Sequence, residues 1–364
     1  MAEHALNRRQ FLGQGVAAAG AGLLAANALG AEAPKPALSR AEGMPPKEQI
    51  LSYNERMEYR RLGKTNQWVS AISLGGHWKR CPFQGEEFDK NRADIIGRCL
   101  DAGINYVDAC CGGEIMAYSK ALKTIGKRDK IYFGFSVCER EMRNEKFRTK
   151  KALLEVLDDM MKQAGLDVVD LWRPTCHEPG GMHTFNESRE MAAAGEQAVK
   201  DGKVRFFGFS THDRSWIEMM VREFPIVSVI VTPYTPKTKE RPTGSFFDTL
   251  RQRDIGFLGI KPFASNSIFQ GKSTPDDPNR EEDDRRARMA LRYTLCCDVL
   301  TAPIPGLIFP HHVENCLRAI EERRKEDMTA RPAILRDEYF ARVADEAWQR
   351  LPAEYQWLKD WEWV

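Results

Sequence analysis

From Glu58 onward the chain repeats one unit eight times: a short run of β-branched or aromatic residues, then an amphipathic helical stretch. Strands are expected at Val69–Leu74, Tyr106–Ala109, Ile131–Val137, Val168–Trp172, Val204–Phe209, Val227–Val231, Gly256–Ile260 and Val299–Ile304. Helices are expected between and after them at Asp89–Asp101, Ile115–Ile125, Thr149–Gln163, Glu187–Lys200, Arg214–Val221, Phe246–Arg253, Glu282–Leu295 and Val313–Glu322. Eight βα units of this size imply an α/β fold, a closed (β/α)8 TIM barrel rather than an open sheet. A further helix near Asp337–Gln349 and a Trp/Tyr-rich tail are expected to cover one side. Chemistry in such a barrel sits in the loops at the C-terminal ends of the strands.

The first 33 residues do not belong to that pattern. Arg8-Arg9 precedes Phe11-Leu12, a weakly apolar Ala/Gly-rich stretch and small-x-small sites near Ala28 to Ala33. This looks like a twin-arginine export signal, read by the twin-arginine export machinery, so a periplasmic or otherwise exported protein is expected. Residues 34–56, with four prolines, read as a linker or a surface arm. The barrel is expected over 57–325 and the C-terminal helix and tail over 326–364. No other apolar run reaches the roughly 18 residues of a membrane span, and no Cys stands near the cleavage sites, so no stable membrane anchor is expected. A net charge of +2 excludes a strongly basic nucleic-acid binder, and nine cysteines without a CxxC pair do not make a disulfide scaffold.

Several motifs are similar to one family. Met57 to Thr65 (MEYRRLGKT), with Leu74-Gly75 following, resembles the opening of aldo/keto reductases, an N-terminal hairpin ahead of the barrel. GINYVDA, Gly103 to Ala109, resembles the family's second strand, and GKVRFFGFS, Gly202 to Ser210, its fifth. Pro233-Tyr234, Lys261-Pro262, Ile304-Pro305-Gly306 and Glu314-Asn315 follow in the family's order. The resemblance implies hydride transfer between a nicotinamide cofactor, NADP or NAD, and a carbonyl or alcohol of a small-molecule substrate. It implies Asp108 as the active-site Asp. Ser210 and Thr211 would then serve the carboxamide, Lys261 the pyrophosphate, and Gly306, Glu314 and Asn315 the adenine end. It also implies a broken catalytic set: Gly113 stands where the Tyr is expected, Ser136 where the Lys is, and Thr175 where the His is unless a two-residue insertion brings in His177. The pair that often reads a 2′-phosphate is Ile308-Phe309 here, leaving His311 or His312 in that role.

Six of the seven histidines, and Cys110, Cys111, Cys138 and Cys176, follow strand ends on the chemical face. Imidazole and thiolate are metal ligands, but no pair here has a metal-motif spacing, so ligation would have to be assembled across strands. The expectation is therefore no bound metal, with His contacting cofactor and substrate and Cys filling space. Trp78, Trp172, Tyr234 and Phe263 suit either an aromatic wall for a ring or sugar-like substrate or plain core packing. The reading that results is an exported oxidoreductase with Asp108, His177 and Tyr234 as catalytic candidates, His177 being the proton donor. A metal- or thiol-dependent enzyme on the same barrel, or a non-catalytic binding protein, are the alternatives.

Overall fold

The computed structural model describes residues 43–78, 80–176, 183–326 and 332–364. The export signal and His177 lie outside the described residues.

A hairpin comes first, β1 (Tyr59–Arg61) and β2 (Trp68–Ser70), paired antiparallel with Tyr59 opposite Ser70. The barrel strands follow as β3 (Leu74–Gly75), β4 (Tyr106–Ala109), β5 (Tyr132–Phe135), β6 (Val169–Trp172), β7 (Val204–Ser210), β8 (Val227–Pro233), β9 (Gly256–Ile260) and β10 (Ala302–Pro303). Neighbours in sequence are neighbours in the sheet, and every pairing is parallel. The barrel closes where Ser73 N donates to Pro303 O at 3.0 Å and Gly75 N to Pro305 O at 2.8 Å.

The helices are α1 (Gly85–Asp101), α2 (Gly112–Ile125), α3 (Lys150–Ala164), α4 (Phe185–Lys200), α5 (Arg214–Glu223), α6 (Phe246–Arg253), α7 (Arg280–Leu295), α8 (Pro310–Glu326) and α9 (Glu338–Gln349). Their ends follow local chemistry. Thr149 accepts from Ala152 N to start α3, whose exit is the left-handed Gly165, and Thr184 with Glu187 forms a reciprocal capping box on α4.

One expected strand is corrected. The run Val69–Leu74 is not a single strand: its first part pairs in the hairpin, and only Leu74-Gly75 enters the barrel. The reason lies between them, where Ala71 N returns to Glu58 O and Ser70 N donates to Asn105 Oδ1, turning the chain under the barrel.

Side chains on a strand alternate in direction, so residues two apart share a face. Inside the barrel, Tyr106, Leu171, Val229, Leu258 and Ala302 pack with Leu62 and Val69 of the hairpin region as an apolar floor. Two residues further along those same strands stand Asp108, Arg173, Val231, Ile260 and Ile304, and all five line the cleft above that floor. The hairpin thus seals the bottom, and chemistry is left to the top.

The arm before the hairpin is anchored: Ile50 and Met57 are buried, and Asn54 Nδ2 donates to Asp101 O at the end of α1. At the other terminus α9 buries Phe340, Val343 and Ala347 in a cluster with Ile268, Met289 and Ala290. The tail, Ala353–Trp361, then carries Tyr355 and Trp357 to the cleft. No helix among the described residues is long and apolar enough to cross a membrane.

Candidate active site

A cleft of about 660 Å³ opens at the C-terminal ends of the strands. Its lining includes Asp108, Ser210, Lys261, Gly306 and Asn315, which come from five different segments of the chain. Asp108, Ser210, Lys261 and Gly306 thus share the rim at the strand ends where chemistry in such a barrel is expected.

At the base, the guanidinium of Arg173 holds the Asp108 carboxylate at two points, Nε to Oδ1 at 2.7 Å and Nη2 to Oδ2. Burial leaves the Asp108 carboxyl above its ordinary range, although Arg173 opposes it through a two-point contact. Burial also opposes charge on Arg173, but the adjacent carboxylate outweighs it and holds the guanidinium above its ordinary range. The remaining Arg173 donors go to Ser136 Oγ at 3.0 Å and Ala109 O at 3.1 Å. Ser136 Oγ in turn lies 2.8 Å from Thr175 Oγ1. The three positions where the family resemblance expects Asp, Lys and His are therefore joined, through Arg173, into one polar chain. Beneath Thr175, Glu141 is fully buried and accepts from Thr175 N and the Trp172 indole; burial lifts its pKa to about 7.

At the front rim, His77 and Glu114 meet at 2.7 Å, with the Cys110 thiol 3.6 Å from the ring nitrogens of His77. Burial would raise the Glu114 carboxyl, but the His77 ring and the amides of Cys110 and His77 hold it below its usual range.

A strap crosses the other side of the cleft. Asp283 receives Gln270 N, Gly271 N and the Ser273 hydroxyl, and Arg80 donates to Gly271 O from the opposite wall. His312 pins the same strap. Its Nδ1 faces Ile308 N and Phe309 N, so its Nε2 carries the hydrogen toward Ser273 O at 3.2 Å. Burial, reinforced by His311, lowers the His312 pKa to about 3. His212 is also driven to about 3, by burial and then by Lys261, and its ring stacks on Trp357. Lys261 itself lies over the Tyr355 ring.

Several sequence-based assignments need correction. Tyr234 is not in the cleft: it is buried in the core against Phe247, Phe257 and Tyr293, and burial pushes its phenol far above the ordinary value. Trp172 is likewise core, while Trp78 and Phe263 do line the cleft. Thr211 is buried beneath the rim, its hydroxyl accepting from Asp213 N. Glu314 points away from the cleft and pairs with Arg56 at 2.8 Å, unlike its neighbour Asn315. Neither His311 nor His312 is a cation for a 2′-phosphate: His312 is held neutral, and His311 is lowered by burial and lies 3.8 Å from Asp284.

Arg173, Glu114, Tyr355 and Trp357 were not singled out by sequence reasoning. Arg173 left one signal, a charged residue directly after β6 at the end of the barrel where chemistry sits, which requires a partner if buried.

The model of the aldo/keto reductase family matches residues 71–288. This chain belongs to the aldo/keto reductase family. It is 24% identical over 255 residues to the L-glyceraldehyde 3-phosphate reductase of Escherichia coli K12, covering 64% of this chain and 70% of that protein. Over 159 residues it is also 24% identical to an uncharacterized oxidoreductase of Schizosaccharomyces pombe, covering 44% of this chain and 49% of the other. Among solved structures, the holo form of an aldo-keto reductase from Bacillus halodurans superposes with a TM-score of 0.59 at 20% identity, covering 79% of this chain and 96% of that one. At these identities the structural likeness carries the fold; the site has to be argued from its own residues.

Proposed function

We propose that this family member is an exported oxidoreductase that moves hydride between a nicotinamide cofactor, NADP or NAD, and a carbonyl or alcohol substrate through an altered site. The observation that carries the reading is the single cleft joining Ser210, Lys261 and Asn315 to the Asp108 base. The residues fit such a cofactor. The cleft volume falls within the roughly 300–1,000 Å³ of small-molecule sites. Ser210 offers a hydroxyl for a carboxamide, Lys261 and Lys272 supply positive charge for a pyrophosphate, and Asn315 and Gly306 stand where the adenine end belongs. When bound, the cofactor supplies the hydride.

The chain's own part is orientation and charge. Asp108 and Arg173 form a fixed dipole at the base of the cleft, and Thr175, held from below by Ser136, would offer its hydroxyl to a substrate oxygen. Tyr106 is not a rim acid: its hydroxyl is 3.5 Å from Asp108 but lies in the buried layer below. His177, which follows β6 in the sequence, is our proton donor, since an imidazole titrates near neutrality. The sugar-phosphate aldehyde named for the bacterial relative makes small polyhydroxylated carbonyl compounds the first substrates to try. Export rests on Arg8-Arg9.

Titrating the purified chain with NADPH and NADH, and repeating this with Ser210→Ala and Lys261→Ala, tests the reading. Binding by the native chain, weakened at least severalfold in both variants, is expected. No binding of either nucleotide overturns it.

A further inference from the structure

Three potential ligands converge at the front rim from three places in the chain. His77 comes from the loop after β3, Cys110 from the end of β4, and Glu114 from the first turn of α2. Their ligand atoms all lie within 4.8 Å of one another, and all three residues line the cleft.

The geometry suits a small divalent ion. A tetrahedral zinc with a thiolate at about 2.3 Å and an imidazole at about 2.0 Å sets sulfur and nitrogen about 3.5 Å apart. The Cys110 sulfur stands 3.6 Å from the His77 ring nitrogens. The His77–Glu114 contact of 2.7 Å has to open to about 3.3 Å to admit an ion between them.

The surroundings hold this arrangement. His77 has a left-handed φ of 59°, which a non-glycine residue adopts at a cost and which turns its ring back toward Glu114. Gly76 has no side chain, and a Cβ there would overlap the Glu114 carboxylate. The same carboxylate is fixed by Cys110 N at 2.8 Å and His77 N at 2.5 Å. A surface His–Glu pair formed for stability alone would need neither the strained backbone nor the thiol. His77 remains half-exposed, so one face of the cluster is open to the cleft.

We propose that His77, Cys110 and Glu114 bind one zinc ion, with its fourth position open toward the cleft. Imidazole, thiolate and carboxylate together match zinc's borderline preference, and three protein ligands with one open position is the catalytic rather than the structural arrangement. Coordination displaces the Cys110 thiol proton to solvent. In the reading under "Proposed function", on which this consequence alone rests, the ion would polarise the substrate's carbonyl oxygen in place of the family's missing tyrosine.

Zinc binding by the chelator-dialysed full chain, followed by calorimetry and by the thiolate-to-metal absorption of the cobalt form, tests the site. One equivalent is expected, with the thiolate band lost in Cys110→Ser, affinity reduced at least tenfold in His77→Ala, and both retained in Cys111→Ser. Sub-stoichiometric uptake by the native chain overturns the proposal, as does a band that survives Cys110→Ser or disappears in Cys111→Ser. Nicotinamide titration of the same samples separates the two ideas. Zinc without nucleotide binding defeats the oxidoreductase reading only, and nucleotide without zinc defeats the metal site only.

Discussion

Arg173 lies across the barrel interior from its own strand and clasps Asp108 two strands away, with both side chains almost wholly buried. The contact exists because each residue is two positions beyond a floor residue, Leu171 and Tyr106, and so points inward one layer higher.

Arg173→Met leaves Asp108 as an unpaired buried charge. A loss of about 3–5 kcal/mol in unfolding free energy is expected, since that is the cost of breaking such a pair from one side. The double variant with Asp108→Asn should recover a large part of it. Urea unfolding of the three proteins checks this; a double variant no better than Arg173→Met would show that the pair is not the source.

Glu141 ties stability to pH. Its carboxyl stands near 7 in the folded chain against an ordinary 4.5, so the folded state binds more protons between those values. Stability therefore falls as pH rises from about 4.5 through about 7, by on the order of 3 kcal/mol in total, and is level with respect to this group above that. Glu141→Gln should be less steep across the same window. Parallel unfolding curves between about pH 5 and about pH 8 are the measurement, and identical slopes would refute the assignment.

Nucleotide preference follows from the neutral His312. With its Nδ1 turned to two backbone amides, it supplies no charge for a 2′-phosphate, so NADPH should bind less than about tenfold tighter than NADH, a gap under about 1.4 kcal/mol. Lowering the pH to about 6 should not widen the gap through His312, whose pKa lies near 3. A much larger preference for NADPH would place an unassigned cation at that end of the cleft.

The proton donor is tested by a pair of substitutions. His177→Ala should abolish reductase activity, by ~10²–10⁴-fold, and His183→Ala should leave most of it. Simple aldehydes should be poor substrates for the native chain because Gly113 replaces the positioned hydroxyl. Full activity of His177→Ala would assign the acid elsewhere.

Much of this architecture was legible in the residues themselves. Eight alternations of period two and period 3.6 specify eight βα units, and the parallel barrel follows because only closure covers every such strand. Tyr106–Ala109 and Gly256–Ile260 were located to the residue. The hairpin was misjudged at Val69–Leu74 because a strand and the next strand share one apolar composition. Only the bonds of Ala71 and Asn105 show where the chain turns.

Side-chain direction is what the linear order could not supply. Glu314 and Asn315 are adjacent in sequence, yet the helical turn of about 100° per residue sends one to Arg56 and the other to the cleft. Tyr234 directly follows a barrel strand and still packs outward into the core. His77, Cys110 and Glu114 are 33 and 4 residues apart with no motif between them, and Tyr355 belongs to a tail far from any strand. By itself the sequence determined the barrel, its family and the rim on which chemistry must lie, because these depend on periodicity and local bonding. Only the tertiary structure decided which rim residues meet, because closing the barrel brings strand ends together at distances of a few ångströms that separation along the chain does not encode.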